Sequence, residues 1–556
     1  METNTFPAGA LRSHFQIPNS YIPITFSITF THATPNIMLP KHETGHYKPD
    51  HIERKAPGKT ANNNPVQSSN QSKQSTNQAS GLLGNYYSVR HQLGLYRSCA
   101  VTSYYNFTPT TPNPTHELTS RLQYALSKTI EKHPSLCYSL LPGSKSHSLP
   151  ACFRRLTQIS WDDLVSISSL NTSSDAQSQE KRIGEELGAS HEQLFQDQET
   201  KPAWKVRVLV HEMEDETYKV YILFVANHAI ADGLSCASFQ RTLHEQLSLA
   251  TVKTIEKSGV QWPYKVPDTI GKPIAIEDAM QISPPGYESF APNTAPLTDK
   301  KEERIWAGNF PNMPTIESYK SLVLLVTISP EKVQRVLETS RRLKITVTGY
   351  LHGLITSYLA RAVVTNNQLG LKAHTPYSLR KFSKLPLSEV ANHVAFTTTT
   401  WDANLLERLR HAGEGSPEEE ALIATMGRQI TQEISADLQR IEAGGGVPQL
   451  RNVEKIDDLE SYCLAGMSAE RSETYELSNL GVVRLNKVPE EPSLILDGLI
   501  FSQCGMVFGA PIGCNVVNLE GGPLVISLTW QKGGVEDEVM EGLQKFLKHR
   551  LGAPTT

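Results

Sequence analysis

The sequence predicts a mixed α/β protein of two lobes preceded by a disordered N-terminal extension, and three observations carry that prediction. Runs with strand period and runs with helix period are interspersed through both halves of the chain. A Pro-, Gly- and Lys-rich stretch without sustained period separates the halves. The beginning of the chain has the composition of neither half. At 556 residues, with 39% hydrophobic and 20% charged positions, the chain exceeds what one hydrophobic core fills. The expected division is an extension over 1–80, an N-terminal lobe over 81–255, a crossover over 256–318 and a C-terminal lobe over 319–556.

Taken in order, Asn62 to Ser80 is almost purely Asn, Gln, Ser and Thr and cannot bury enough apolar surface to order itself. Leu95 to Tyr105 reads as a strand, and Glu117 to Lys132 as a helix with Leu118, Leu122, Ala125, Leu126 and Ile130 on one side. Trp204 to Val210 and Tyr218 to Ala226 flank the acidic turn Glu212 to Glu216 and predict a hairpin. Helical character resumes from Leu234 to Leu249, and Glu256 to Asn312 forms the connection. The second half predicts a strand over Ser321 to Ile328 and helices over Pro330 to Leu343 and Thr346 to Val364. A short strand ending at Pro376 follows, then a long helix from Pro417 to about Ile441. A last strand, Leu524 to Trp530, precedes a terminal helix, Glu536 to Leu551.

Composition excludes several classes. A net charge of −4 gives no electrostatic reason to expect nucleic acid or an anionic membrane as partner. There is no run of about 18 apolar residues to form a transmembrane segment. Met1 to Gln16 lacks the basic start and apolar core of a secretory signal. Seven scattered cysteines without a Cys-x-x-Cys pair fit reduced thiols, so a soluble, cytoplasmic protein is expected, with no metal site.

The most informative stretch is Phe224-Val-Ala-Asn-His228-Ala-Ile-Ala-Asp232-Gly233. A buried strand has little room for an imidazole where it ends, so His228 reads as a placed acid/base group. Asp232, four residues on, is open to reading as a triad member, a metal ligand or a structural carboxylate. Gly233 reads as the means to a tight turn or a positive φ. Cys236 reads as a small core residue on the following helix. No Gly-x-Ser-x-Gly elbow and no dinucleotide or Walker glycine pattern accompanies them.

His228-Ala-Ile-Ala-Asp232-Gly233 resembles the motif shared by chloramphenicol acetyltransferase, plant BAHD acyltransferases, nonribosomal condensation domains and fungal alcohol acetyltransferases. Leu93-Gly-Leu-Tyr96, His133-Pro-Ser-Leu136 and Leu477-Ser478-Asn479-Leu-Gly481 are similar to the last of these, in order, from Asn85 to the C-terminus. The plant Asp-Phe-Gly-Trp-Gly motif is absent, and Asn227-His228 replaces the doubled histidine of condensation domains. The resemblance implies a chloramphenicol-acetyltransferase-like pseudo-dimer with the histidine in an interlobe tunnel. It implies that Asp232 turns away from substrate to pair with Arg380, in the Pro376-Tyr-Ser-Leu-Arg380 segment.

The expected function is acyl-CoA-dependent O-acylation, most directly acetylation, of a small alcohol. His228 is the expected general base in a ternary complex, because a base is present without an evident nucleophile. Acetyl-CoA is then a co-substrate and no cofactor is permanently bound. Ser478 or Asn479, or the hydroxyls of Thr397 to Thr400, are the candidate donors to the oxyanion. Acylation of an amine, a carrier-bound donor and a non-catalytic binding relative are the alternatives. A monomer is expected, and resemblance suggests fungal specialised metabolism.

Overall fold

The computed structural model describes residues 77–143, 149–173, 175–284, 304–311, 315, 317–364, 368–486 and 493–552. Most of the expected extension therefore lies outside the described residues. The end of its polar tract does order: Asn77–Ala79 pairs antiparallel with Cys152–Arg155, which also pairs with Tyr138–Leu141.

Two larger sheets organise the molecule. The first comprises β1 (Cys99–Phe107), β2 (Val165–Ser169), β3 (Trp204–Glu212) and β4 (Tyr218–Ala226), joined by a strand from the second half of the chain. The second comprises β5 (Ser321–Ile328), β6 (Leu371–Ser378), β7 (Val394–Trp401), β8 (Tyr475–Val483), β10 (Ile512–Leu519) and β11 (Leu524–Gln531). The visiting strand is β9 (Leu494–Gln503), which pairs antiparallel with β1 from Leu494↔Phe107 to Gln503↔Cys99. The spatial orders are β9-β1-β4-β3-β2 and β5-β11-β10-β8-β6-β7. The first sheet thus contains a strand from residues 494–503.

Helix α1 (Gly81–Gln92) follows the short strand Asn77–Ala79. Its end explains why β1 begins later than periodicity suggests: Gly94 takes φ +71°, and the amides of Leu95 and Tyr96 bond back to Arg90 O. Helices α2 (Pro114–Lys132) and α4 (Gly233–Ser248) pack together against the first sheet. Helix α5 (Pro330–Leu343), α6 (Val347–Ala362), α7 (Pro417–Glu442) and the terminal α8 (Asp537–Gly552) belong to the second half. Leu351, Leu354, Ile355, Met540 and Leu543 bury there against Tyr475, Leu477, Ile512 and Leu528.

Helix α3 (Ala176–His191) sits at the junction of the halves. Its Ile183 and Leu187 share a buried cluster with Leu209 and Leu223 of the first sheet and Val323 and Leu325 of β5. Two glycines a helical turn apart allow that approach. A Cβ on Gly184 would stand 2.5 Å from Val323 O, and one on Gly188 2.3 Å from Ser321 O. Both obstacles are backbone, which cannot swing aside as a side chain can.

Gly188→Ala is therefore expected to destabilise the protein by about 1–3 kcal/mol. Chemical denaturation should show it, while the exposed Glu185→Ala on the same helix should change stability by less than about 0.5 kcal/mol.

Candidate active site

The strand that ends at the site is buried along Val220 to Ala226, which fixes its last residue firmly. Asn227 then turns the chain: its Oδ1 accepts from Ala229 N at 2.9 Å and its carbonyl from Ile230 N at 3.0 Å. This turn presents His228. The Tyr87 ring stacks on the imidazole with centroids 4.4 Å apart, and Tyr96 meets it edge-on at 5.4 Å. Asn392, from the loop before β7, donates from Nδ2 to His228 O at 2.8 Å and stands 3.0 Å from His228 Nδ1.

Burial, with the Arg90 cation adding to it, pushes the His228 pKa down to about 3. Asp232 and the residue's own main-chain carbonyl favour the charged ring but are outweighed. The imidazole is therefore neutral at physiological pH, the form that can accept a proton.

Asp232 faces the other way and caps α4. Its Oδ1 accepts from Ser235 N at 2.7 Å and Ser235 Oγ at 2.8 Å, and its Oδ2 from His393 N at 3.2 Å. Arg380 Nη2 donates to both carboxylate oxygens, at 3.1 and 3.2 Å, and to Ser235 Oγ and Ala391 O. Arg380 Nη1 serves the carbonyls of Pro386 and Glu389. The contact is thus made by one nitrogen rather than by a two-pronged fork, because the other is spent on the loop. Burial alone would raise the Asp232 pKa. Arg380 and the Ser235 donors reverse that and hold it below the usual carboxylate range.

Gly233 has a different reason from the one expected. Its φ is not positive; instead a Cβ there would lie 2.8 Å from Leu480 Cδ2 and 3.0 Å from Phe501 Cζ. Glycine is present because the second half packs directly on the start of α4. Cys236 is buried, with its Sγ 3.8 Å from Cys99 Sγ.

The two candidates on β8 separate by strand alternation. Asn479 lies with Tyr475 and Leu477 on the helix-covered face, where its Nδ2 donates to Thr348 Oγ1 at 3.1 Å. Ser478 lies on the opposite face with Glu476 and Leu480, the last of which touches Gly233's position. Three of the β7 threonines are engaged elsewhere, Thr397 Oγ1 donating to Asp437 at 2.7 Å, Thr399 bonding Glu433 and Thr398 lying beside His374, and Thr400 is exposed.

Sequence reasoning missed helix α1 and Asn392. Helix α1 supplies Tyr87 against the histidine, and Tyr86 and Arg90 behind it. The Arg90 guanidinium is ringed by Tyr86, Tyr87, Tyr96 and Phe508 and donates to Phe508 O at 2.8 Å.

Residues 79–551 match the family model for alcohol acetyltransferase. The chain belongs to that family. It is similar to a probable alcohol acetyltransferase of Aspergillus fumigatus, 23% identical over 486 residues, covering 84% of this chain and 98% of the relative. It is also similar to a probable alcohol acetyltransferase of Fusarium pseudograminearum, 26% identical over 369 residues, 63% of this chain and 70% of the relative. Among solved structures, the TRI3 trichothecene 15-O-acetyltransferase from Fusarium sporotrichioides superposes with a TM-score of 0.61 at 15% identity, covering 85% of this chain and 94% of that one. A condensation domain of the calcium-dependent antibiotic synthetase gives 0.51 at 10% identity, covering 87% and 98%. These likenesses establish the two-lobed acyltransferase fold, and family membership makes the protein an acyltransferase. No helix among the described residues is long and apolar enough to cross a membrane.

Removing the charge of Asp232 leaves the Arg380 cation buried and uncompensated. Asp232→Asn is expected to cost about 3–5 kcal/mol in urea denaturation. The wild-type contribution is present above the ordinary Asp pKa of about 3.9 and is lost as pH falls through the lower folded value. The variant's stability should lack that acid-side component.

Proposed function

We propose that the protein transfers an acetyl group from acetyl-CoA to a hydroxyl of a small-molecule acceptor, with His228 as general base. The observation that carries this reading is a neutral, rigidly presented imidazole whose neighbouring carboxylate is wholly engaged with Arg380. In this reading the ring proton sits on Nδ1, beside the His228 carbonyl, and Nε2 takes the acceptor's proton as its oxygen attacks the thioester carbon. The carbonyl oxygen becomes an oxyanion, to which Ser478 Oγ donates. Collapse breaks the carbon–sulfur bond, and the imidazolium returns its proton to the departing thiolate. Asp232 and the histidine's own carbonyl offset part of the burial that disfavours the transient imidazolium.

No covalent acyl-enzyme is needed, because both substrates meet at one base. Asp232, Gly233 and Arg380 act as supports: they set the loop and do not touch the reacting atoms. Asn392 is a positioning residue for the ring. The seven cysteines stand as free thiols, six of them buried, which supports an intracellular setting. The likeness to a trichothecene 15-O-acetyltransferase fits a role in specialised metabolism.

Incubation with acetyl-CoA and a panel of alcohols and amines should release free CoA and form acetyl esters, detected by mass spectrometry. Transfer only to amines, or only from a carrier-bound thioester, would redirect the assignment. His228→Ala should lose on the order of 100-fold or more in kcat/KM with an unchanged Tm. Full activity in that variant would sink the mechanism. Because the ring titrates well below its usual value of about 6.5, wild-type kcat/KM should stay flat between about pH 5 and pH 7 rather than fall there.

A further inference from the structure

A sheet face buried between two layers ordinarily carries apolar side chains. The helix-covered face of the second sheet is largely apolar, with Tyr475, Leu477, Ile512 and Leu528, whereas its other face carries a row of polar side chains. His374, Glu476, Ser478, Asn515, Ser527 and Thr529 are neighbours in register across β6, β8, β10 and β11, and all are buried. Most of this row is satisfied internally. Asn515 Nδ2 lies 3.3 Å from Ser527 O, Ser527 Oγ and Thr529 Oγ1. Gln503 Nε2, reaching in from β9, donates to Asn515 Oδ1 at 2.7 Å and Glu476 Oε1 at 2.9 Å. Gln503 Oε1 accepts from Tyr96 OH at 2.5 Å, and Tyr96 touches the His228 ring.

Three atoms of the row remain over, His374 Nδ1 among them. Ser478 Oγ, already assigned to the oxyanion, and Glu476 Oε2 are buried without a hydrogen-bond partner among the described residues. A native buried polar atom left this way usually awaits a ligand, a water or a reaction. Glu476 and Ser478 are two residues apart on one face of one strand, a separation of roughly 6–7 Å. Whatever meets Glu476 Oε2 therefore approaches the same sheet face as the group that meets Ser478.

We propose that Glu476 is a specificity-determining residue whose Oε2 binds a second oxygen of the acceptor, a hydroxyl, ether or carbonyl other than the hydroxyl being acylated. This rests on the acyl-transfer reading and names its substrate class: acceptors that carry a second oxygen besides the hydroxyl being acylated. The chemistry of the residue fits. Burial, with Glu473 adding to it, pushes the Glu476 pKa up to about 8, against Gln503 and Arg90. Arg90 and Tyr87 from α1, Tyr96, Glu473, Cys514 and His374 are the titratable or charged groups around it. At neutral pH Glu476 is a carboxylic acid, able to donate from one oxygen and accept at the other, and it adds no charge to the closed site.

The test compares n-butanol with the terminal diol of butane and with the diol's mono-methyl ether, using acetyl-CoA at pH 7. Wild-type kcat/KM should favour the two oxygenated alcohols by about 10-fold or more, expressed in the KM of the alcohol. Glu476→Leu should bring that ratio close to unity, and Glu476→Gln, which keeps a donor at the same place, should retain it within about 3-fold. The wild-type preference for the mono-methyl ether should decline as pH rises through about 8, because a carboxylate can no longer donate to its oxygen, and that decline should vanish in Glu476→Gln. Equal use of all three alcohols by the wild type overturns the proposal, as does a Glu476→Leu effect confined to the KM of acetyl-CoA. If the wild type acetylates no alcohol, the acyl-transfer reading fails. Calorimetric binding of the same alcohols to wild type and Glu476→Leu, without a donor, then decides the Glu476 proposal separately.

Discussion

A guanidinium and a carboxylate buried at the meeting of two sheets have to be satisfied together, and around Arg380 and Asp232 almost every available group is used for that purpose. The carboxylate takes hydrogen bonds from both halves of the chain, and the guanidinium takes up four carbonyl or hydroxyl acceptors besides the carboxylate. The three residues Ala391, Asn392 and His393 show what this achieves. Ala391 O accepts from Asp232 N, Ser235 Oγ and Arg380; Asn392 holds His228; His393 N donates to Asp232. The ion pair thus fixes the one loop that orients the base. Replacing it with apolar groups could preserve stability, but it would leave Asn392 without its anchorage on either side.

The same junction explains why the halves are not independent modules. Strand β9 leaves the second half to complete the first sheet, and its last residue, Gln503, turns its amide into the polar row of the second sheet. Gly184 and Gly188 let α3 lie on the backbone of β5, and Gly233 lets Leu480 and Phe501 lie on the start of α4. Small residues and one visiting strand join the apolar cluster around Ile183 and Leu187 in holding this interface together. The interface can therefore be closely packed and still keep polar groups at its centre.

How much of this was legible in the sequence depended on whether a residue's role was local. His228 and Asp232 were readable because a buried strand, a turn and a helix start follow each other within ten residues, and resemblance supplied Arg380. Helix α1 was not readable: its inward residues include Tyr86, Tyr87, Ser88, Arg90 and His91, so no apolar stripe marks it. Asn392 lies in a loop, and only the tertiary fold brings it to a histidine 164 positions away. Gly233 was readable as necessary but for the wrong cause, since close approach of another segment leaves no local signature. The alternation Tyr475-Glu-Leu-Ser-Asn479 did show that Ser478 and Asn479 lie on opposite faces of their strand. What it could not say was that the polar side is buried rather than wet.

That buried polar side bears on how the site handles charge. Burial drives His228 down and Glu476 up, so both are neutral at pH 7, although one is a base and the other an acid. The charges nearby are held at the edges: Arg90 among aromatic rings, and Asp232 against Arg380. A thioester and an alcohol are also neutral, so their entry brings no charge to be desolvated. In the proposed transfer, charge separates only during reaction, into an imidazolium and an oxyanion. Asp232 and the histidine's own carbonyl offset part of the burial that disfavours the first. The low basicity of the resting imidazole is thus the counterpart of a closed site that keeps its groups neutral until the substrates meet there.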